Sequence, residues 1–385
     1  MEQRTFKLKE FAQDISVAVK DAQLSPLKRF VGLEHYDSNE PVITRFTDTS
    51  LLSSSVKEFN ENDILIARRN VYLRRAGIVF FSGLTSGDSI VLRIYNDCED
   101  RTGIPKDDAI RIIPFILNSN DFWAYANKHA DGMNSKRISK DMLYDYEFSL
   151  PPIEEQRILA DKLWAAYRLK ESYKKLLTAT QEMVKSQFIE MFYGMTTTPV
   201  KDYIYDSFPG EWGTEDKDGN GVKVIRTTNF TNSGKLNLED VVTRNIEERK
   251  VSRKQIKKYD TILERSGGTA ENPVGRVVLF EEDERYLCNN FTQVLRFKNI
   301  DPRFAFYSLY YFYQTNKTAI RSMGSKTTGI QNLNMGKYQE IGIPNASDEQ
   351  QMAFVSIVKQ ADKSEFELRK SIEAIDQVIK SLINN

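Results

Sequence analysis

The sequence predicts an α+β protein built from two related mixed α/β domains and two long helices that pair in antiparallel fashion. Three observations support this fold class: a length of 385 residues, a pattern that occurs twice about 195 positions apart, and a heptad repeat at the end of each copy. At roughly 100 to 200 residues per domain, this length predicts two or three domains. The repeat defines the units of the fold, within which the local motifs lie.

The repeated pattern is an apolar run that ends on a proline and is followed by an acidic helix-start signal. Its first copy contains Phe148, Leu150, Pro151 and Glu154-Glu155-Gln156, and its second contains Ile341, Ile343, Pro344 and Asp348-Glu349-Gln350. This pattern divides the chain into a first domain at 1–152, a central helix at 153–193, a second domain at 194–345 and a C-terminal helix at 346–385.

The two predicted helices carry the strongest periodicity in the sequence. In the second helix, seam residues alternate spacings of four and three, which is typical of a coiled coil: Phe354, Val358, Ala361, Glu365, Leu368, Ile372, Ile375, Ile379 and Leu382. The same seam occurs 195 positions earlier, with Lys170 in place of Glu365. Because each domain precedes its helix, an antiparallel pair buries both seams most simply and relates the two units by pseudo-symmetry. We predict that Lys170 and Glu365 face each other and determine the helix-pair register; alternatively, both are edge residues whose charged ends reach solvent.

Within the domains, short runs rich in Val and Ile between Gly, Asn and Asp predict three strands in each copy. These predicted strands cover residues 63–68, 77–81 and 90–94 in the first domain and residues 260–265, 275–280 and 293–297 in the second. Aromatic stretches at 121–125 and 303–311 have helical spacing, and such side chains usually belong to the core.

Composition and motifs argue against an enzyme. The chain has 54 basic and 54 acidic residues, two cysteines and two histidines, which are too few for a disulfide framework or a Cys/His metal site. No apolar stretch approaches the ~18 residues of a membrane span. Because two distant cysteines cannot form a disulfide framework, we expect a protein of the reducing cytoplasm. The sequence lacks a phosphate-binding loop, an amino-methyltransferase motif and recognisable hydrolase or metalloprotease motifs. These features predict a binding protein with no catalytic residue and no metal or cofactor of its own.

The order of the segments resembles the DNA-specificity (S) subunit of type I restriction-modification systems. The resemblance covers essentially the whole chain and rests on segments that recur in order: 150–156 and 343–350 at the helix starts, with 224–230, 260–263, 275–277 and 324–334 in the second domain. It implies that each globular part is a target-recognition domain for one half of a bipartite DNA site. It also implies that the helical pair sets the unread spacer and docks the methylation subunits.

The same resemblance implies partners for a subunit that is itself non-catalytic. They are double-stranded DNA, two methylation (M) subunits that use S-adenosylmethionine, and restriction/translocation (R) subunits, with ATP and Mg²⁺ needed only in the partners. The expected location is the prokaryotic cytoplasm. Two alternatives remain open: a stand-alone two-domain sequence-specific DNA-binding protein and, with less support, a nuclease with fused recognition domains.

Candidate DNA contacts are chosen by residue type and by their place on loops beside rigid strands, because Arg and Lys read guanine or bind phosphate, Asn and Gln read adenine, and glycine admits close backbone approach. In the first domain they are Arg68, Arg69, Asn70, Arg74, Arg75, Lys136 and Arg137. In the second domain they are Thr227, Asn229, Arg265, Gly267, Gly268, Thr269, Asn272, Lys326, Thr327 and Gln331.

Overall fold

Two long helices, Ile153–Phe192 and Asp348–Asn384, each run through both of the units into which the chain divides. The computed structural model describes residues 3–52, 56–133, 135–269, 271–327 and 330–384. Unit 1 comprises Met1–Leu176 with Leu368–Asn385, and unit 2 comprises Leu177–Glu367. Each unit therefore contains one globular domain and a segment of both long helices.

Side chains next to the two helix starts explain where the helices begin. Before the second helix, Ser347 and Gln350 form a capping box: the Gln350 N–H donates to Ser347 Oγ at 3.3 Å, and the Ser347 N–H donates to Gln350 Oε1 at 3.0 Å. The Gln156 amide donates to the Pro151 carbonyl at 2.7 Å, and the Gln351 amide donates to the Ala346 carbonyl at 2.8 Å. Gln156 therefore corresponds to Gln351, one position beyond the residue aligned with it from sequence.

The helical segments are antiparallel within each unit, as predicted. In unit 2, Phe188 and Phe192 contact Phe354, while Glu182 and Val184 line a cavity with Ala361 and Glu365. In unit 1, Lys170 contacts Asp376, while Leu159 lines a cavity with Leu382. In both units, residue numbers rise along one helix as they fall along the other.

Each domain is centred on a four-stranded antiparallel sheet of the same strand order. The strands are, in spatial order, Ala12–Asp14, Ser89–Ile94, Ile64–Ala67 and Ala76–Ile78 in unit 1, and Ile204–Pro209, Thr292–Phe297, Thr261–Glu264 and Val277–Leu279 in unit 2. All three strands predicted in each domain lie in these sheets. The shared order confirms that the two domains are copies of one fold.

A second sheet in each domain contains one parallel strand pair. Its strands, in spatial order, are Ala18–Val19, Val56–Phe59, Gly83–Ser86, Arg29–Val31 and Thr47–Asp48 in unit 1, and Thr214–Glu215, Val242–Asn245, Val222–Ile225 and Tyr286–Cys288 in unit 2. The parallel pairs are Arg29–Val31 with Gly83–Ser86 and Val222–Ile225 with Tyr286–Cys288. A further strand pair leads into each helix: Arg4–Lys7 with Glu147–Leu150, and Thr197–Pro199 with Gly342–Pro344.

The remaining elements complete the two cores. The shorter α-helices are Leu8–Phe11, Cys98–Thr102, Lys106–Ile116, Asn120–Lys128, Lys140–Tyr144, Glu248–Lys254, Pro302–Thr315, Lys317–Met323 and Met335–Tyr338. The 3₁₀ turns are Leu33–His35, Thr49–Leu51, Val71–Leu73, Val200–Asp202 and Thr227–Asn229, and a third sheet in unit 2 joins Ser266–Gly267, Ile330–Leu333 and Gly324–Thr327. Phe122, Trp123, Phe304 and Phe306 are buried, which confirms that the aromatic helical stretches form core. None of the helices in the described ranges combines the length and hydropathy that a membrane span requires.

Candidate nucleic-acid interface

The arginine-rich candidates of the first domain lie on one loop, residues 68–75, which we call the arginine loop. It follows the buried strand Ile64–Ala67 and contains the 3₁₀ turn Val71–Leu73. Asn70 and Arg74 flank this turn with φ values of 53° and 50°. The left-handed region is uncommon for residues other than glycine, so the neighbouring contacts must hold the loop in this conformation.

A second segment, residues 135–138, provides those contacts. The Asn70 N–H donates to the Lys136 carbonyl at 2.7 Å, and the Ile138 N–H donates to the Arg68 carbonyl at 3.1 Å. Ser135 Oγ also donates to Asn70 Oδ1 at 3.2 Å. The fold thus brings Lys136 and Arg137 beside Arg68, Arg69 and Asn70, which are about 65 positions earlier in the chain.

Asp88 lies between two arginines of this cluster. Its Oδ2 is 3.0 Å from Arg69 Nη1, and its Oδ1 is 3.8 Å from Arg137 Nη2. Both arginine side chains remain at least 40% exposed, so they are accessible to a second anion. An exposed ion pair of this kind contributes little to stability, which leaves both guanidinium groups available for phosphate or base contacts.

The other arginines of the loop are used internally. Arg75 Nη1 donates to the Leu33 carbonyl at 2.9 Å, and its Nη2 donates to the Arg69 carbonyl at 3.1 Å. Burial lowers the pKa of Arg75, and the Nε atoms of Arg68 and Arg75 are both buried. Arg74 Nη1 donates to Asn120 Oδ1 at 3.1 Å. The structure therefore places Arg75 in the support of the loop, whereas Arg69, Lys136 and Arg137 form its open face.

In the second domain the candidates lie around residues 267–272, which we call the glycine loop. Gly267 and Gly268 have φ values of 112° and 64°, and a Cβ on Gly268 would lie 2.8 Å from the Val274 nitrogen. Strand pairing places Gln331 opposite both Gly267 and Lys326. Glycine is thus required by conformation and by space, and the strand pairs bring Gln331 to the loop. The side chains of Lys326 and Thr327 lie outside the described part of the chain.

Hydrogen bonds also join Thr269 and Asn272 in this loop. The Thr269 N–H donates to the Asn272 carbonyl at 2.7 Å, and the Asn272 N–H donates to Thr269 Oγ1 at 2.9 Å. Asn272 also lines a cavity of about 150 Å³ with Arg276 and Lys317. Half-buried Arg265 accepts a hydrogen bond at its carbonyl from the Leu333 N–H at 2.8 Å.

Sequence reasoning missed Arg276 and Lys317 as members of this region. Arg276 Nε donates to Glu264 Oε2 at 2.7 Å, and its Nη2 lies 3.4 Å from the Thr227 carbonyl. Lys317 Nζ lies 3.8 Å above the Tyr313 ring, and burial together with Arg321 and Arg276 lowers the pKa of Lys317. No local motif marks these residues; Arg276 follows Asn272 closely in the sequence, whereas the fold brings the helix Lys317–Met323 beside it.

The structure excludes Asn229 from an open surface. Its side chain is only 4% exposed, and its amide nitrogen donates to the carbonyls of Asn237 and Asp240 at 3.0 and 2.9 Å. Its Oδ1 accepts from the Arg226 N–H at 2.8 Å. These bonds leave little capacity for reading a base, so the expectation of DNA contact at Asn229 is corrected to a structural role. Thr227 is half-buried and is not restricted in this way.

Lys170 and Glu365 also have partners other than those predicted. Lys170 Nζ lies 2.7 Å from Glu40 Oε1 and 2.5 Å from Asp376 Oδ1. Glu365 Oε2 lies 3.3 Å from Lys235 Nζ. The helix register brings Asp376 opposite Lys170, and a loop of each unit's own domain supplies the other partner. The predicted Lys170–Glu365 pair is therefore replaced by two separate clusters.

Nothing in the described ranges suggests a catalytic metal centre, since no group of three or more His, Cys, Asp and Glu side chains there is arranged to hold an ion. Cys98 and Cys288 are both buried and free. Burial raises the pKa of the Cys288 thiol to about 11, which disfavours the reactive thiolate.

Two solved structures resemble the chain along its length. One, from a study of complex assembly and conformational transition in a type I R-M system, has 14% identity and a TM-score of 0.56 and covers 99% of this chain and 96% of the other. The other, a type I restriction-modification S subunit from M. genitalium, has 12% identity and a TM-score of 0.53, with coverages of 99% and 95%. At these identities the similarity establishes the fold alone. No curated protein is significantly similar in sequence.

A family model described as "Type I restriction modification DNA specificity domain" matches residues 208–377. The match includes the second domain's glycine loop and most of the second long helix. It agrees with the prediction of a DNA-recognition component that is not itself catalytic. Residues 208–377 are therefore similar to a type I restriction modification DNA specificity domain.

Proposed function

We propose that the chain is the specificity subunit of a type I restriction-modification complex and that each globular domain reads one half of a bipartite target. The observation that carries this proposal is the position of the candidate contacts. The arginine loop leaves the end of Ile64–Ala67, and the glycine loop lies beyond the end of the equivalent strand Thr261–Glu264. The two domains share one fold, but each presents different residues after the equivalent strand of its central sheet.

The chemistry of the two loops supports two unlike half-sites. Arg69, Lys136 and Arg137 offer the cationic donors that bind phosphate and read guanine. The second domain offers Gln331 and Asn272, whose amides suit adenine, beside glycines that admit close backbone approach. An asymmetric target follows from this difference, because neither loop repeats the residues of the other.

We further propose that the helical pair sets the spacer between the half-sites and docks two methylation subunits, to which restriction subunits are added. In this arrangement S-adenosylmethionine, ATP and Mg²⁺ bind only to the partner subunits. The complex would work in the prokaryotic cytoplasm, where its DNA lies.

Selection from a randomised DNA duplex library tests the proposal, using the full chain expressed with the methyltransferase subunit of its host. We expect a motif of two unlike half-sites separated by a fixed unread spacer. A single continuous motif, or no enrichment, would contradict it. Full affinity without the methyltransferase would favour a stand-alone binder, and cleavage by the purified chain with Mg²⁺ would favour a nuclease.

A heptad insertion tests the role of the helices. Seven residues inserted after Leu176 and again after Glu367 preserve the pairing of helical segments inside each unit. At ~1.5 Å per residue this adds about 10 Å, or roughly three base pairs of duplex. We expect a longer spacer with both half-sites unchanged; an altered half-site would contradict the proposed division of roles.

A further inference from the structure

Each domain contains a loop that contacts both its central sheet and a long helix. In unit 1 the loop includes Glu40 and Pro41, and the Ile78 N–H donates to the Pro41 carbonyl at 2.9 Å. In unit 2 it includes Gly234 and Lys235, and the Leu279 N–H donates to the Gly234 carbonyl at 3.2 Å. Ile78 and Leu279 occupy equivalent places in the two sheets, opposite Ile64 and Thr261. The two loops are therefore counterparts, and we call them connecting loops.

The connecting loops contact the helices through charges of opposite sign. Glu40 Oε1 accepts from Lys170 at 2.7 Å and from Lys174 at 2.9 Å, with the Glu40 side chain only 13% exposed. In unit 2 the polarity is reversed: Lys235 Nζ lies 2.5 Å from Asp362 Oδ1 and 3.3 Å from Glu365 Oε2. Lys170 and Glu365, the helix partners, occupy the same position of the repeated seam.

Each cluster has an enclosed charge on the helix, although the Lys235 side chain is itself 41% exposed. The side chains of Lys170 and Glu365 are 7% and 9% exposed. Burial lowers the pKa of Lys235, but its hydrogen bond to Asp362 and the adjacent carboxylates outweigh burial, so that the net pKa is raised. Removing one member of an enclosed pair leaves the other charge without its partner, which is costly. The contacts are therefore suited to fixing a loop in one place.

Both connecting loops also lie near the DNA candidates. In unit 1 the N–H of Asn39, next to Glu40, donates to the Arg74 carbonyl in the arginine loop at 2.8 Å. In unit 2, Asn232, three positions before Lys235, lines the same cavity as Asn272 of the glycine loop. Tyr310 and Gln314 hold Asn232 by donating to its carbonyl at 3.2 and 3.1 Å. A short path thus runs from each helix seam through the connecting loop to the candidate reading residues.

We propose that Glu40 and Lys235 are positioning residues. They fix the arginine loop and the glycine loop, through the connecting loops, to the helical segment of the same unit, and so make DNA binding depend on the spacing of the half-sites. This inference rests on the proposed function. The reversed polarity has a second consequence. If each connecting loop packed on the helix seam of the other unit, Glu40 would face Glu365 and Lys235 would face Lys170. Each connecting loop is electrostatically matched only to its own seam.

The test uses the full chain, expressed with the methyltransferase subunit, and duplexes carrying its selected half-sites with the selected spacer or with one base pair more or fewer. For the natural sequence we expect a preference of about tenfold or more for the selected spacer, which corresponds to about 1.4 kcal/mol. Glu40→Gln and Lys235→Gln should reduce this preference to below about threefold while the preferred half-site bases stay the same. Lys235→Arg retains the charge and should retain the preference.

Asp376→Asn provides the matched control, because it removes the other carboxylate near Lys170 without altering the connecting loop; its spacer preference should be that of the natural sequence. An equal loss of affinity on all three spacers would show a merely structural role and overturn the inference, as would an unchanged preference in both Gln variants. If Glu40→Gln does not fold, Glu40→Asp replaces it, since its shorter side chain withdraws the carboxylate while keeping the charge. A natural chain that selects no bipartite motif would overturn the proposed function and this inference together, whereas a bipartite motif with unaffected variants overturns the inference alone.

Discussion

The guanidinium of Arg296 lies 3.0 Å from the carboxylate of Asp260, and both side chains are buried beside the central sheet of the second domain. The same relationship recurs in the first domain, where Arg93 donates to both oxygens of Asp63 at 2.7 Å. Burial raises the pKa of Asp260 in spite of the opposing effect of Arg296. The aspartate at the start of each repeated strand thus belongs to the domain core rather than to its surface.

We expect Asp260→Asn to destabilise the second domain by about 3–5 kcal/mol, because it leaves the buried Arg296 charge without its buried carboxylate partner. Urea denaturation followed by circular dichroism measures this change. Asp206→Asn is the control: Asp206 also contacts Arg296, at 2.9 Å, but its side chain is 43% exposed, so its loss should cost about 1 kcal/mol or less. Equal losses in the two variants would contradict the role assigned to burial.

Arg137→Ala should weaken DNA binding through the first half-site and make binding less sensitive to salt. If Arg137 contacts one phosphate, the slope of log K against log salt should fall by about one. Asp88→Asn should have the opposite effect on affinity, because it releases both Arg69 and Arg137. Fluorescence anisotropy at several salt concentrations measures both. Arg101→Ala removes a similarly exposed arginine, paired with Asp97 at 3.0 Å, and should change neither quantity.

Gly268→Ala should weaken recognition of the second half-site and destabilise the glycine loop. Its φ of 64° disfavours a side chain, and the new Cβ would also come within 2.8 Å of the Val274 nitrogen. Gly219→Ala separates the two effects, because Gly219 has a similar φ of 72° with open space around it. We expect a cost of about 1 kcal/mol for Gly219→Ala and a larger one for Gly268→Ala. Thermal unfolding and half-site selection test this; matching behaviour would argue against steric restriction at position 268.

Asp301 makes the second domain sensitive to acid. Burial raises the pKa of Asp301, but hydrogen bonds from the Arg303 side chain and backbone outweigh burial and hold the pKa below its usual 3.8. A depressed carboxylate pKa stabilises the fold above the unfolded value, and this stabilisation is lost as pH falls through the folded value. Unfolding free energies between about pH 6 and pH 2 should therefore fall less steeply in Asp301→Asn, which keeps a side-chain cap but no charge. An unchanged pH dependence would contradict this assignment.

Several features of the fold and of the candidate site were accessible from the sequence. The strand at Ile64–Ala67, its counterpart Thr261–Glu264 and the two long helices follow from apolar spacing that repeats locally. The grouping of Gly267 and Gly268 also identified a loop that admits close backbone approach. These properties depend on residues close together in the chain, so a single sequence contains the necessary information.

Side-chain direction and long-range partners were decided by tertiary structure. Arg69 and Arg75 are only six positions apart, yet Arg69 lies on the open face and Arg75 donates inward to the Leu33 carbonyl. Asn229 is buried by contacts with the later residues Asn237 and Asp240. Periodicity does not specify such contacts, because they depend on the path of the backbone between the partners.

The repeat itself determined that the chain has two related domains, two helices and a polar residue at the same seam position, Lys170 or Glu365. Only the tertiary structure decided that these two residues bind Glu40 and Lys235 instead of each other. The physical reason is that an enclosed charge needs an opposite charge from the packed fold, and in each unit one such charge lies on a loop distant in sequence.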